Sequence, residues 1–164
     1  GDDVITLGMA SGLGSSCAIE IGSLCFSAPF KPTPMTKAEC EAAVAEGKLG
    51  IKACSWNNDY LAGAVKACKE QGKKLPTGAQ LAELASQLYV GNPTIGATEY
   101  YGGSQFDSNS STAKSLGLTP SFTLWSGEEY SFSNAYFRNF RTTSSSWSHY
   151  TRDNDFVQAV CLGE

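Results

Sequence analysis

Residues 122–162 read FTLWSGEEYSFSNAYFRNFRTTSSSWSHYTRDNDFVQAVCL, and the side-chain period along this stretch decides the fold. Phe122 and Leu124 point one way and Trp125 the other. Tyr136, Arg138 and Phe140 alternate in the same manner with Phe137, Asn139 and Arg141. A period of two belongs to a β-strand, whose neighbouring side chains leave opposite faces. Phe156–Leu162, FVQAVCL, reads as the clearest strand of all.

Upstream the period becomes helical. Thr36 is placed to cap a helix over Lys37–Glu46, and Glu39 completes a capping box. Leu61, Ala64, Val65 and Cys68 share one face of a helix over Tyr60–Gln71, with Gly72 as its C′ residue. Thr77 caps a third helix, Gly78–Tyr89, which turns Leu81, Leu84, Ala85 and Leu88 inward. Ile5–Leu7, Ala18–Ile21 and Leu24–Ser27 read as short strands. Residues 91–120 are rich in Gly, Ser and Asn and are expected to form a long, irregular excursion. The fold class expected is α+β: two or three helices packed on short, twisted antiparallel strands, with long irregular loops.

A chain of 164 residues that is 41% hydrophobic holds one compact domain, residues 1–164. Its formal net charge of −4 argues against nucleic acid as a partner. His149 is the only histidine, and Cys17, Cys25, Cys40, Cys54, Cys68 and Cys161 form no C-x-x-C pair, so no metal or cofactor is expected. Cysteines in an even number at scattered positions read as disulfides formed in an oxidising compartment. Six of them admit many pairings. The pairing expected is two local staples, Cys17–Cys25 and Cys40–Cys54, and one long bridge, Cys68–Cys161. No apolar run is long enough to span a membrane, and Gly1-Asp2-Asp3 reads as a boundary behind which a signal or anchor has been removed. Any membrane attachment would run through such a segment.

Residues 130–156 carry the functional expectation. They hold eight aromatics and nine Ser or Thr, with no Lys, Glu, Gln, Met, Leu, Ile, Val, Gly or Pro. An aliphatic core cannot be built from that alphabet, yet it is too aromatic for a solvated linker. Aromatic side chains supply rigid contact area, while Ser, Asn and Arg supply adaptable hydrogen bonds. The alternative is an aromatic-rich sheet whose rings all pack inward. A compromise assigns Tyr136, Arg138, Phe140 and Trp147 to the scaffold. The candidate ligand-binding residues are then Tyr130, Phe132, Asn134, Phe137, Asn139, Arg141, Thr142, Ser146, Ser148, His149, Thr151, Asp153, Asp155 and Phe156. Apart from Trp147, the segment also obeys the residue set reachable by mutating the adenines of an AAC or AAT codon.

Three pieces carry a family resemblance. Ala64–Cys68, followed by Gly72-Lys73-Lys74-Leu75-Pro76-Thr77 and a helix, resembles the opening of bacterial C-type-lectin-like domains. These include the Legionella-type C-terminal domain and the formylglycine-generating-enzyme fold. Leu124-Trp125-Ser126-Gly127-Glu128-Glu129 resembles their W-(S/T)-(S/G)-(T/E)-E strand. Gln158-Ala159-Val160-Cys161 resembles their closing strand, whose Cys in C-type lectins joins a helix Cys. The resemblance covers residues 60–164, leaving 1–59 as an N-terminal extension or a pilin-like segment. The C-terminal block is also similar to the variable regions of diversity-generating retroelement proteins, some of which resemble minor pilin subunits. This implies a C-type-lectin-like fold that displays mutated residues on an exposed face.

The sequence also departs from these families. Trp56-Asn57-Asn58-Asp59 reads as a turn and helix cap, and the calcium motifs of sugar-binding C-type lectins are missing near Trp125–Tyr150. The formylglycine-generating chemistry needs two reactive cysteines in the C-terminal region, where only Cys161 lies. Glu128 and Glu129, as strand neighbours, make a poor acid/base pair, and Glu128 is expected to meet Arg138 or Arg152. His149, Ser148 and Asp153 supply triad residue types without a nucleophile elbow. No catalysis is expected. The function expected is that of an exported or surface-displayed binding module for a protein or glycan on another cell, phage or host surface. A structural minor pilin meeting sibling subunits, or a degenerate formylglycine-generating-type enzyme, are the alternatives.

Overall fold

A computed structural model of the chain describes residues 17–131 and 133–163, so the expected strand Ile5–Leu7 lies outside the described residues. Helix α1 spans Lys37–Ala45 with the expected capping box: Glu39 N–H donates to Thr36 Oγ1 at 3.2 Å, and Thr36 N–H to the Glu39 carboxylate at 2.9 Å. Helix α2, Tyr60–Glu70, is capped by Asp59, whose carboxylate accepts from Ala62 N–H at 2.9 Å. Helix α3 runs only over Gly78–Ser86, a turn shorter than its periodicity suggested. Beyond it Tyr89 leaves the helical path to bridge Phe106 and becomes buried. A fourth helix, α4, Ser111–Leu116, forms inside the excursion expected to be irregular. Ser110 caps it, and Gly117 closes it in the left-handed region at φ 66°.

Two antiparallel sheets complete the α+β architecture. β1 (Ile19–Ile21), β2 (Leu24–Phe26) and β7 (Leu162–Gly163) lie in that order. The second sheet has the order β3-β6-β5-β4, from Tyr101–Gly102, Ser144–Thr151, Asn134–Phe140 and Phe122–Glu129.

The strand expected over Phe156–Leu162 needs correcting. Only its last residue joins a regular ladder. Gln158 exchanges hydrogen bonds with Thr123 and Trp125, and Ala159 with Phe30, all at 2.9 Å. The segment therefore links the two sheets, changing partners as it goes, so no single ladder propagates. Its run of four consecutive buried residues, Ala159 to Leu162, reflects enclosure on both sides, not alternation.

The β4–β5 ribbon lies between two apolar clusters. Trp125, Ala135 and Phe137 pack with α1 and α2 through Cys40, Leu61, Val65 and Cys68. Leu124 and Phe140 pack on the opposite face with Leu81, Leu84, Leu88, Tyr89 and Phe106. Disulfides join Cys17 to Cys25, Cys40 to Cys54, and Cys68 of α2 to Cys161. The expected pairing is the one present, and three disulfides mark a chain that matures outside the reducing cytoplasm. Among the described residues, no helix is long and apolar enough to cross a membrane.

Candidate recognition surface

The register of β5 on β6 sorts the candidate residues. Asn134 faces Thr151, Tyr136 faces His149, Arg138 faces Trp147, and Phe140 faces Ser145. These side chains share one face of the sheet. Ala135 with Tyr150, Phe137 with Ser148, and Asn139 with Ser146 share the other. The candidates are thus divided between two faces instead of being gathered on one. Arg141 and Thr142 are exposed at the far turn of the hairpin, seven and eight residues along the chain from Asn134 and so more than about 20 Å away. Phe132 lies outside the described residues.

Two candidates are corrected outright. Phe137 is only 4% exposed and Asn139 only 8%, so neither sits on an outer face. Alternation misplaced them because both faces of β5 are covered along its second half. Phe137 packs edge-on against Trp125, and the Asn139 side-chain oxygen accepts from Ser146 N–H at 2.8 Å. Arg138 and Phe140 are buried as expected, while Tyr136 and Trp147, assigned to the scaffold, remain half-buried.

The half-covered face carries a continuous aromatic row. Trp147 stacks on Tyr136 with centroids 5.0 Å apart, and Tyr130 stacks on His149 at 4.0 Å. Tyr136 meets the second pair edge to face, 5.4 Å from Tyr130. The opposite face carries a shorter series, Phe137–Tyr150–Phe156, whose last two rings are 42% and 49% exposed. Exposed Asp153 and Asp155 lie beyond it, beside Trp56, Asn57 and Asn58, in a shallow depression of about 540 Å³.

Two buried arginines hold this surface in place. Arg152 donates to Asp59 and Glu129 (3.0 Å to each) and to the Ala53 carbonyl at 2.7 Å. Glu129 in turn accepts from the backbone of Lys52 and Ala53. The end of the β6 hairpin is therefore fastened to the segment preceding α2. The expected partner Glu128 is replaced by Glu129, because β4 carries a bulge: four steps from Trp125 to Glu129 oppose two steps from Phe137 to Ala135. Glu128 is left exposed on the aromatic-row face.

Among the described residues, Arg138 has no carboxylate partner. Its guanidinium donates to the carbonyls of Gly96 and Glu99 at 3.2 and 3.0 Å and to Ser145 Oγ at 3.1 Å. Burial lowers its pKa, opposed by the nearby Tyr89 oxygen. This clamp sets the 96–99 turn beside Trp147. The rim of the Trp147 ring and the Ala97 carbonyl both approach Gly78 so closely that a Cβ there would meet them at about 3.0 Å. Sequence reasoning missed Thr98, Glu128 and the exposure of Tyr136 and Trp147. The bulge-forming Ser126-Gly127-Glu128 was the available signal.

Among the described residues, the triad types Ser148 and His149 do not converge. Ser148 and His149 leave opposite faces of β6. Cys40, Cys54 and Asp59 come within 4.8 Å of one another, but the sulfurs are bonded together and the carboxylate is held by Arg152. The chain matches no protein family, no curated protein and no solved structure.

Proposed function

We propose that this is an exported ligand-binding domain of C-type-lectin-like architecture, which recognises a protein or glycan through the exposed side chains of the β5–β6 hairpin and the turn that follows it. The observation that carries the reading is the aromatic row Tyr130–His149–Tyr136–Trp147, half-covered and mounted on a sheet that is fastened by Arg138 on the same face and Arg152 on the other. Rigid aromatic anchors beside adaptable hydroxyls form the composition of a recognition surface. Three features support the architecture: β2 paired with the C-terminal β7, the bridge from α2 to Cys161, and the Gly72–Thr77 turn leading into α3. In this reading the exposed positions are those diversified by a retroelement, and the buried ones are fixed scaffold.

The test is capture on a glycan array and on a panel of intact bacterial cells. We expect specific capture that Tyr130→Ser combined with His149→Ser abolishes without changing the unfolding midpoint. Capture retained by that variant would overturn the proposal.

A further inference from the structure

Glu128 is a carboxylate without a counter-charge. Its polar contact among the described residues is the Ser126 hydroxyl at 3.4 Å; Arg138, on this face, is bonded to backbone carbonyls, and Arg152, on the other, to Asp59 and Glu129. It borders a recess of about 560 Å³ whose other walls are Thr98, Tyr136 and Trp147. The walls are pre-set: Trp147 stacks on Tyr136, and the turn that carries Thr98 is clamped by Arg138. The recess therefore combines two aromatic rings, the hydroxyls of Thr98 and Tyr136, and one carboxylate with no ion pair among the described residues.

We propose that this recess is a subsite for a methylated ammonium group carried by the ligand. The inference rests on the reading of the β5–β6 hairpin as a recognition surface and specifies what one part of that surface takes. An aromatic face attracts a cation through its quadrupole, and quaternary ammonium groups are recognised in this way. An adjacent carboxylate reinforces the attraction. The side-chain acceptors are the Glu128 carboxylate and the hydroxyls of Thr98 and Tyr136; a quaternary ammonium, which has no N–H to donate, is matched instead by the apolar ring surface of Tyr136 and Trp147 beside the Glu128 charge. A neutral sugar would leave the Glu128 charge unmatched. The Arg138 guanidinium lies on the same face, bonded to the carbonyls of Gly96 and Glu99, and the exposed Glu99 carboxylate sits against Gly96 on the same turn.

The experiment is an NMR titration of the full chain with choline, with its neutral isostere 3,3-dimethylbutan-1-ol, and with Nα-acetyl-lysine amide. Choline should move the Trp147 indole and Glu128 amide signals saturably by ~100 mM, the range in which a millimolar Kd fills. The isostere and E128Q should each weaken binding about threefold to tenfold, as expected when a cation at a partly exposed aromatic site loses its charge or its carboxylate. K114Q, at an exposed position of α4 outside the hairpin, should bind choline unchanged. Acetyl-lysine amide should bind more weakly than choline. Equal binding of choline and isostere, no change in E128Q, tighter binding of the lysine probe, or no saturable shift would each overturn the proposal. The readout is local to the recess. It can therefore fail while glycan or cell capture through Tyr130 and His149 survives, and it can succeed where that capture fails.

Discussion

Arg152 and Asp59, 93 residues apart in the chain, form a fully buried ion pair with 3.0 Å between guanidinium nitrogen and carboxylate oxygen. Asp59 is at once the N-cap of α2, an acceptor for Ser55 N–H, and this counter-ion. Breaking a buried pair by removing one partner leaves the other charge unmatched, at a cost of about 3–5 kcal/mol. Arg152→Met should lose that much, since it strands both Asp59 and Glu129. Asp59→Asn retains a capping side chain, so its loss reports mainly the charge. In urea unfolding, the double variant should lose less than the sum of the single ones. Strict additivity would show that the pair is not coupled.

The long bridge should dominate the disulfides. Cys68 and Cys161 close a loop of 93 residues, Cys40 and Cys54 one of 14. Loop-closure entropy assigns about 4–5 kcal/mol to the first and about 3 kcal/mol to the second. Paired Cys→Ser substitution of each bridge, followed by thermal unfolding, checks the order.

Phe137 and Tyr150 are stacked neighbours with opposite exposures. Phe137→Ala should cost about 3–5 kcal/mol, as for a core aromatic. Tyr150→Ser should cost under about 1 kcal/mol. Denaturant midpoints for the two variants would separate scaffold from surface. Similar losses would place Phe137 on the surface after all.

Tyr89 supplies a pH-dependent contribution. Burial pushes its hydroxyl pKa up to about 12, against the pull of the Arg141 backbone and of the Arg138 charge. A group whose pKa is raised by folding keeps its proton longer in the folded state. Its contribution is therefore complete below the unfolded value near 10 and is lost as pH rises toward about 12. The stability advantage of the native chain over Tyr89→Phe should shrink by about 2–3 kcal/mol across that window. A pH-independent difference between the two would contradict this.

The first three helices were legible because their signals are local: a capping box at Thr36 and Glu39, and one apolar face from Leu61 to Cys68. The disulfide pairing expected from spacing is also present. The position of Phe137 was not legible, because alternation gives two faces without saying that a second apolar cluster covers the other one. The Phe156–Leu162 run looked like a strand by composition, but whether a ladder forms depends on partners distant in sequence, Thr123 on one side and Phe30 on the other. The bulge at Ser126–Glu128 decided which carboxylate meets Arg152, and register of that kind is set by pairing, not by either strand alone.

The central claim is that the exposed part of residues 130–156 is a recognition surface whose residues vary on a fixed scaffold. Sequencing closely related genomic copies of the gene tests it most directly. The account predicts substitutions concentrated at Tyr130, Ser148, His149, Tyr150, Thr151, Asp153, Asp155 and Phe156, arising from codons with adenine, while Ala135, Phe137, Arg138, Asn139, Phe140 and Arg152 stay constant. Substitutions spread evenly over exposed and buried positions would contradict it.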